Sequence, residues 1–135
     1  FFVTGENVEA YPEVTKQICE EGHLIGNHTY SHIQLSRSNT ESYKEEIKKT
    51  NQVIRDVTGQ DTIYIRPPYG SWNKEFEKEL TPNFLSRHKS YMVNMNFIAG
   101  YEPYKFLLKN SEQVGIPPKK YAEMIDKYRN YLINL

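Results

Sequence analysis

The stretch Gly26-Asn27-His28-Thr29-Tyr30-Ser31-His32 puts two imidazoles four positions apart. Held on one turn of helix or in a tight loop, both rings can aim at one point and share a metal ion. The spacing is the one zinc proteases use on a helix, but Thr29 stands where their general-base glutamate would be, so that motif is absent. A catalytic zinc takes three protein ligands and keeps one position open for water. The third ligand must therefore come from elsewhere. The only aspartates are Asp56, Asp61 and Asp126, and none obviously follows a strand beside the histidines. Taken alone, the pair is a weak signal and reads more readily as two polar loop residues than as a metal site.

A second constellation is Arg66-Pro67-Pro68-Tyr69-Gly70. Two prolines fix φ and stiffen the loop, and Gly70 permits an unusual turn. Such a loop can hold a backbone N–H rigidly towards a developing oxyanion. The planar fork of Arg66 can orient a carboxylate. In isolation the same residues read as a strand-ending turn with a surface arginine.

The elements that must position these loops alternate strand and helix over the first 80 residues. Phe1 to Thr4 is β-type and ends at Gly5, a turn glycine. A helix is expected from Pro12, a good first helical position, to Glu21, with Gly22 as its left-handed stop and Val14 and Ile18 on one face. His23 to Gly26 reads as a short buried strand, which makes His23 structural. Ser38-x-x-Glu41 forms a capping box for the next helix. Tyr43, Ile47, Ile54 and Val57 recur there at helical spacing, and Gly59 ends it. The charges of Lys44, Glu45, Glu46, Lys48 and Lys49 are expected on its solvated face, and Cys19 as a small buried hydrophobe. Thr62 to Arg66 is a strand stopped by Pro67-Pro68. Asn73 caps a short helix to about Leu80. This order argues for parallel strands with crossover helices, an α/β fold whose chemistry gathers at the carboxyl ends of the strands. Both loops lie at such ends.

Beyond Leu80 the character becomes helical and lysine-rich. Ser90 to Ile98 is a possible strand, a helix is expected from Pro103 to about Lys109, and Pro117-Pro118 opens a last helix. Tyr121, Ile125, Tyr128, Leu132 and Leu135 fall on one face of it. The organisation expected is one segment over residues 1–80 and a divergent, mainly helical segment over residues 81–135.

Composition bounds the function. Lys+Arg and Asp+Glu both number 17 in 135 residues, so the net charge is zero and argues against a nucleic-acid partner. Cys19 is the single cysteine, which excludes an internal disulfide and a cysteine-based metal cluster. No apolar run approaches a membrane span. The chain opens without methionine, inside an apparent strand, and reads as a piece of a longer protein.

Taken together and in order, "FFVTGENVEAYP", "EEGHLIGNHTYSH", the linking amphipathic helix and "IRPPYG" resemble the polysaccharide deacetylases of carbohydrate esterase family 4, the NodB-homology domain. The resemblance covers about residues 1–80. It implies part of a distorted (β/α) barrel and metal-dependent removal of acetyl groups from a glycan. The substrates implied are chitin-type oligosaccharide or peptidoglycan, or, for O-acetyl groups, xylan. It implies His28 and His32 as two of three ligands to a divalent metal, zinc by expectation. Arg66 would orient the catalytic base, and the Tyr69 N–H would stabilise the oxyanion. Trp72 and Pro68 are the expected substrate contacts, Trp72 by stacking on a sugar ring. It also implies a place outside the cytoplasm or at the cell surface.

The departures are as specific. The family's Asp-Asp pair, which supplies the base and the third ligand, would precede Phe1 and is absent. So are its later aspartate-tryptophan and leucine–x–histidine segments. "SYMVNMNFI" falls where the aspartate-bearing strand would lie, and His88 in "LSRHKS" does not match the histidine motif. The expectation is a deacetylase piece with little or no activity by itself. The competing readings are a non-catalytic glycan-binding remnant and a helical interaction segment in residues 100–135.

Overall fold

The computed structural model describes residues 1–71, 84–88 and 91–135. Three short parallel strands come first: β1 (Phe2–Val3), β2 (Gly26–Asn27) and β3 (Tyr64–Ile65). Phe2 pairs with Gly26, Val3 with Asn27, and Asn27 with Ile65. Between β1 and β2 run helices α1 (Gly5–Ala10) and α2 (Pro12–Glu20), and between β2 and β3 runs α3 (Thr40–Thr58). This is the strand and crossover-helix order read from the sequence.

The same sheet then continues antiparallel. β4 (Phe84–His88) and β5 (Tyr91–Asn94) form a hairpin, and β5 pairs with β3 through Tyr64–Val93 and Ile65–Met92, giving the order β1-β2-β3-β5-β4. Alternation along the hairpin gives it two buried faces. Phe84 and Met92 join Leu35, Tyr43, Ile47 and Ile65 under α3, whereas Leu85 and Val93 join a second core. That core is built by the meander β6 (Ile98–Glu102), β7 (Lys105–Leu108) and β8 (Gln113–Gly115), with α4 (Tyr121–Ile133). The hairpin is the shared wall between the two halves.

Several sequence expectations need correcting. Gly5 begins a helix instead of closing a turn. In α2 the buried residue is Thr15, and Val14 is 55% exposed. The strand expected over His23–Gly26 starts only at Gly26, and His23 is exposed, its ring edge-on to Phe1. The capping box does not form. Asn39 occupies the cap, and its side chain turns back to Ser36 N–H and the Gln34 carbonyl instead of capping. Helix α3 otherwise stands as expected, ended by Gly59 at φ 74.

In the C-terminal part the helix expected over Pro103–Lys109 is a hairpin. Tyr104 turns it at φ 63, and Lys105 to Leu108 alternate half-buried and buried, the period of a strand. Ser90–Ile98 is not one strand, because a 3-10 turn at Met95–Phe97 separates β5 from β6. The closing helix is present, but its buried stripe runs through Met124, Ile125 and Tyr128, leaving Leu132 45% and Leu135 83% exposed. The helix expected over Asn73–Leu80, and Trp72, lie outside the described residues. Among the described residues no helix is long and apolar enough to cross a membrane.

Candidate metal centre

His28 follows β2 and Arg66 follows β3, so both stand just past the carboxyl ends of neighbouring parallel strands. The backbone continues the pairing there: His28 N–H donates to the Val3 carbonyl at 3.0 Å and Arg66 N–H to the Asn27 carbonyl at 2.9 Å. The loop between the histidines folds back so that their ring centroids are 4.8 Å apart, and the Tyr69 ring is a further 4.8 Å from His32. The two sequence motifs therefore meet in one cluster.

His28 Nδ1 lies 2.6 Å from the Arg66 carbonyl oxygen. Donation from Nδ1–H to this carbonyl fixes the tautomer and leaves the Nε2 lone pair for a metal, as metal-binding histidines are commonly arranged. Burial holds the His28 pKa below its ordinary value; the carbonyl bond opposes this, and the neighbouring His32 and Arg66 charges add to it. The ring is thus neutral at pH 7, the form that ligates.

The loop is strained and tightly held. Thr29 and His32 both have positive φ, 66° and 60°, a conformation that costs a non-glycine residue about 1–3 kcal/mol and needs support from its surroundings. Support comes from both sides. Gly5 and Glu6, at the start of α1, donate N–H bonds of 3.0 Å to the carbonyls of Thr29 and Tyr30. The buried Asn27 accepts from Thr29 N–H through Oδ1 and donates through Nδ2 to the Ile47 carbonyl and to Asn51 Oδ1 on α3. Glu46 accepts from the N–H groups of Tyr30 and Ser31. The charges of α3 are therefore not uniformly solvated: Glu45 and Lys48 face water and pair with each other, whereas Glu46 holds the loop and Lys49 sits 3.8 Å over the Tyr30 ring. Sequence reasoning missed Asn27 and Glu46. Asn27 adjoins His28 in the motif, and Glu46 precedes the core position Ile47, but neither carries a signal of its own.

The second loop is a 3-10 turn at Pro68–Gly70. Pro68 is buried in it, and Tyr69 is left-handed at φ 59 with its ring 69% exposed. Gly70 and Ser71 N–H close back on the carbonyls of Pro67 and Pro68. Gln34 Nε2 donates to Ser71 Oγ, tying the histidine segment to this turn. The Arg66 guanidinium stacks 4.3 Å over Phe2, walling a cavity of about 310 Å³ with Tyr64 and Tyr91.

A two-histidine donor set fits part of a metal shell, through the fixed His28 tautomer and two rings 4.8 Å apart. Among the described residues no group of three His, Cys, Asp or Glu could hold an ion. Asp61 precedes β3 and pairs with Arg55 at 2.6 Å, at the end of that strand opposite the histidines.

Comparison with known proteins matches residues 1–83 to the polysaccharide deacetylase family. A peptidoglycan-N-acetylglucosamine deacetylase of Bacillus cereus is 47% identical over 70 residues, which is 52% of this chain and 26% of that protein. Among solved structures, a peptidoglycan N-acetylglucosamine deacetylase superposes with TM-score 0.57 at 42% identity, over 60% of this chain and 38% of that one. A CE4 family pseudoenzyme from Bacillus anthracis superposes with TM-score 0.55 at 29% identity, over 58% of this chain and 28% of that one. The chain thus spans less than a third of the length of the curated relatives named peptidoglycan deacetylases that it matches.

A second profile, the LytTr DNA-binding domain, matches residues 73–135, just under half of the chain. Whole-chain neutrality does not speak against it, because it sums two segments of opposite sign. Residues 1–83 carry nine Lys+Arg against thirteen Asp+Glu, and residues 84–135 carry eight against four. The match over residues 1–83 covers more than half of the chain, includes both strand-end loops, and agrees with the superpositions: this chain belongs to the polysaccharide deacetylase family.

Proposed function

We propose that residues 1–83 form part of the active site of a glycan deacetylase that removes acetyl groups from the amino sugars of peptidoglycan, outside the cytoplasm. The observation that carries this reading is the His28–Arg66 contact, which joins the two motifs and aims Nε2 outward. The relatives' names supply the substrate class. His28 and His32 would hold a divalent metal, zinc by its preference for imidazole. When bound, that ion supplies Lewis-acid polarisation of the acetyl carbonyl and an acidified water. The chain's own residues do the rest. The Pro68–Gly70 turn closes the amides of Gly70 and Ser71 on itself, and the Tyr69 N–H is the donor offered to the oxyanion. Pro68 and Trp72 are the sugar contacts in this reading. Arg66 orients the base carboxylate, which this sequence does not contain in recognisable form. Isothermal titration with zinc tests the reading: one site, lost in His28→Ala and in His32→Ala, supports it, and heat unaffected by both substitutions refutes it. O-acetyl hydrolysis is separated from N-acetyl hydrolysis by comparing acetylated xylan with N-acetylated glycan as substrates of a complete relative carrying these two loops.

A second reading concerns residues 84–135. Their excess of four positive charges, which falls on Arg87, Lys89, Lys119 and Lys120, and the LytTr match favour nucleic-acid binding with the Pro118–Lys120 turn before α4 as a basic element. Fluorescence anisotropy with duplex DNA at two salt concentrations tests it. Binding that weakens steeply with salt, and weakens further in the double variant Lys119→Glu, Lys120→Glu, supports this reading. No binding at low salt refutes it.

A further inference from the structure

This inference rests on the metal-binding reading and asks what keeps its two ligands together. We propose that Glu46 is the positioning residue of the histidine pair, its carboxylate clamping the loop between His28 and His32 in the conformation that brings the rings to one point.

Left-handed backbone at Thr29 and His32 is a conformation that an unsupported loop would leave. The two residues between them, Tyr30 and Ser31, are both bound to one carboxylate. Glu46 Oε2 accepts from Tyr30 N–H at 3.1 Å and from Ser31 N–H at 3.0 Å, and Oε1 accepts from Ser31 Oγ at 2.5 Å. Three bonds from one charged acceptor satisfy consecutive amides that the turn itself leaves unpaired, and bonds to an ionised acceptor are the stronger kind. The acceptor is fixed in its turn. Glu46 belongs to the 19-residue helix α3, which is packed through Tyr43, Ile47 and Ile54 and is tied to the β2 end by Asn27. Its neighbour Glu45 is exposed and pairs with Lys48, away from the loop amides, so the role belongs to one position on the helix and not to its charge in general.

The test uses the whole chain, with zinc titration and amide hydrogen exchange of the metal-free protein. Second-ring contacts of metal ligands are typically worth about 10–100-fold in metal affinity. Glu46→Ala is expected to weaken zinc binding by about tenfold or more, and to speed exchange at Tyr30 and Ser31 while leaving exchange in the β6–β8 meander unchanged. Glu46→Gln keeps a carbonyl for both amides and offers its NH₂ to Ser31 Oγ, so it should restore most of both signals. Glu45→Gln should change neither. Ser31→Ala removes one of the three bonds and takes the place of Glu46→Ala if that variant does not fold. Unchanged affinity and exchange in Glu46→Ala, or in Ser31→Ala in its place, overturn the proposal. If the unsubstituted chain shows no His28-dependent zinc binding, the metal reading fails by itself, and the exchange rates alone decide the clamp.

Discussion

Gly5 lies against Tyr30 so closely that a Cβ at position 5 would overlap Tyr30 Cδ2 and stand 2.8 Å from Thr50 Oγ1. The absence of a side chain lets the first turn of α1 lie flat on the histidine loop and deliver two N–H bonds to it. Gly5→Ala must therefore push α1 off the loop or distort it. Overpacking of this kind costs about 1–3 kcal/mol. A thermal melt should show the loss, and zinc affinity should fall with it. An alanine variant as stable as the parent would show that α1 can shift freely and does not brace the loop.

Zinc binding itself should be weak. Two imidazoles leave the remaining coordination positions to water, whereas structural and catalytic sites use three or four protein ligands. Calorimetry is expected to give no sub-micromolar site. A tighter site, abolished by His32→Ala, would reveal a third protein ligand in this chain.

Alkaline stability should be limited by buried phenols. Burial, with added repulsion from Glu112 and Tyr91, pushes the Tyr64 hydroxyl up to about 12, and burial moves Tyr43 in the same direction. The unfolded chain loses these protons near the ordinary value of 10. Between these limits the folded state holds more protons than the unfolded state, so stability falls as pH rises. The contribution is fully present below pH 10 and is lost as pH passes through about 12. Chemical denaturation at pH 9 and at pH 11 should differ measurably, and Tyr64→Phe should reduce the difference. The same slope in parent and variant would place the titrating group elsewhere.

Much of this site was legible in the sequence because strand-end loops carry their chemistry in consecutive residues. His28, His32 and Arg66-Pro67-Pro68-Tyr69-Gly70 are weak signals one by one and stand out through the family resemblance of the two motifs in order, and the parallel strands that bring them together follow from the element order. The support was not legible. Asn27 and Glu46 act on the loop across separations of 2 to 24 residues, and a glutamate on an amphipathic helix looks the same whether it faces water or an amide. The C-terminal half misled for another reason. Pro103 suggests a helix start, but Phe106 and Leu108 bury alternate positions against β6 and β8, and that pairing is set by partners distant in sequence.

Catalysis is where the site's incompleteness should show most plainly. Hydrolysis of an acetamide needs a ligated water, a group to take its proton, and donors for the oxyanion. Among the described residues the structure offers two imidazoles and a rigid turn carrying the Tyr69 amide, and the carboxylates of Glu46, Glu9 and Asp61 are engaged elsewhere. Glu46 is bonded to the loop amides, Glu9 accepts from the Tyr30 hydroxyl, and Asp61 pairs with Arg55. A positioned general base typically contributes about 10²–10⁴-fold, and no third ligand joins the two histidines among the described residues. The chain is therefore expected to release no measurable acetate from N-acetylated chito-oligosaccharide or peptidoglycan, with or without added zinc. Acetate release that depends on zinc and is abolished by His32→Ala would overturn this expectation. Glu9→Gln would then be the first variant to assay, because Glu9 holds the Tyr30 hydroxyl without binding the loop's backbone, whereas Glu46 also binds its amides.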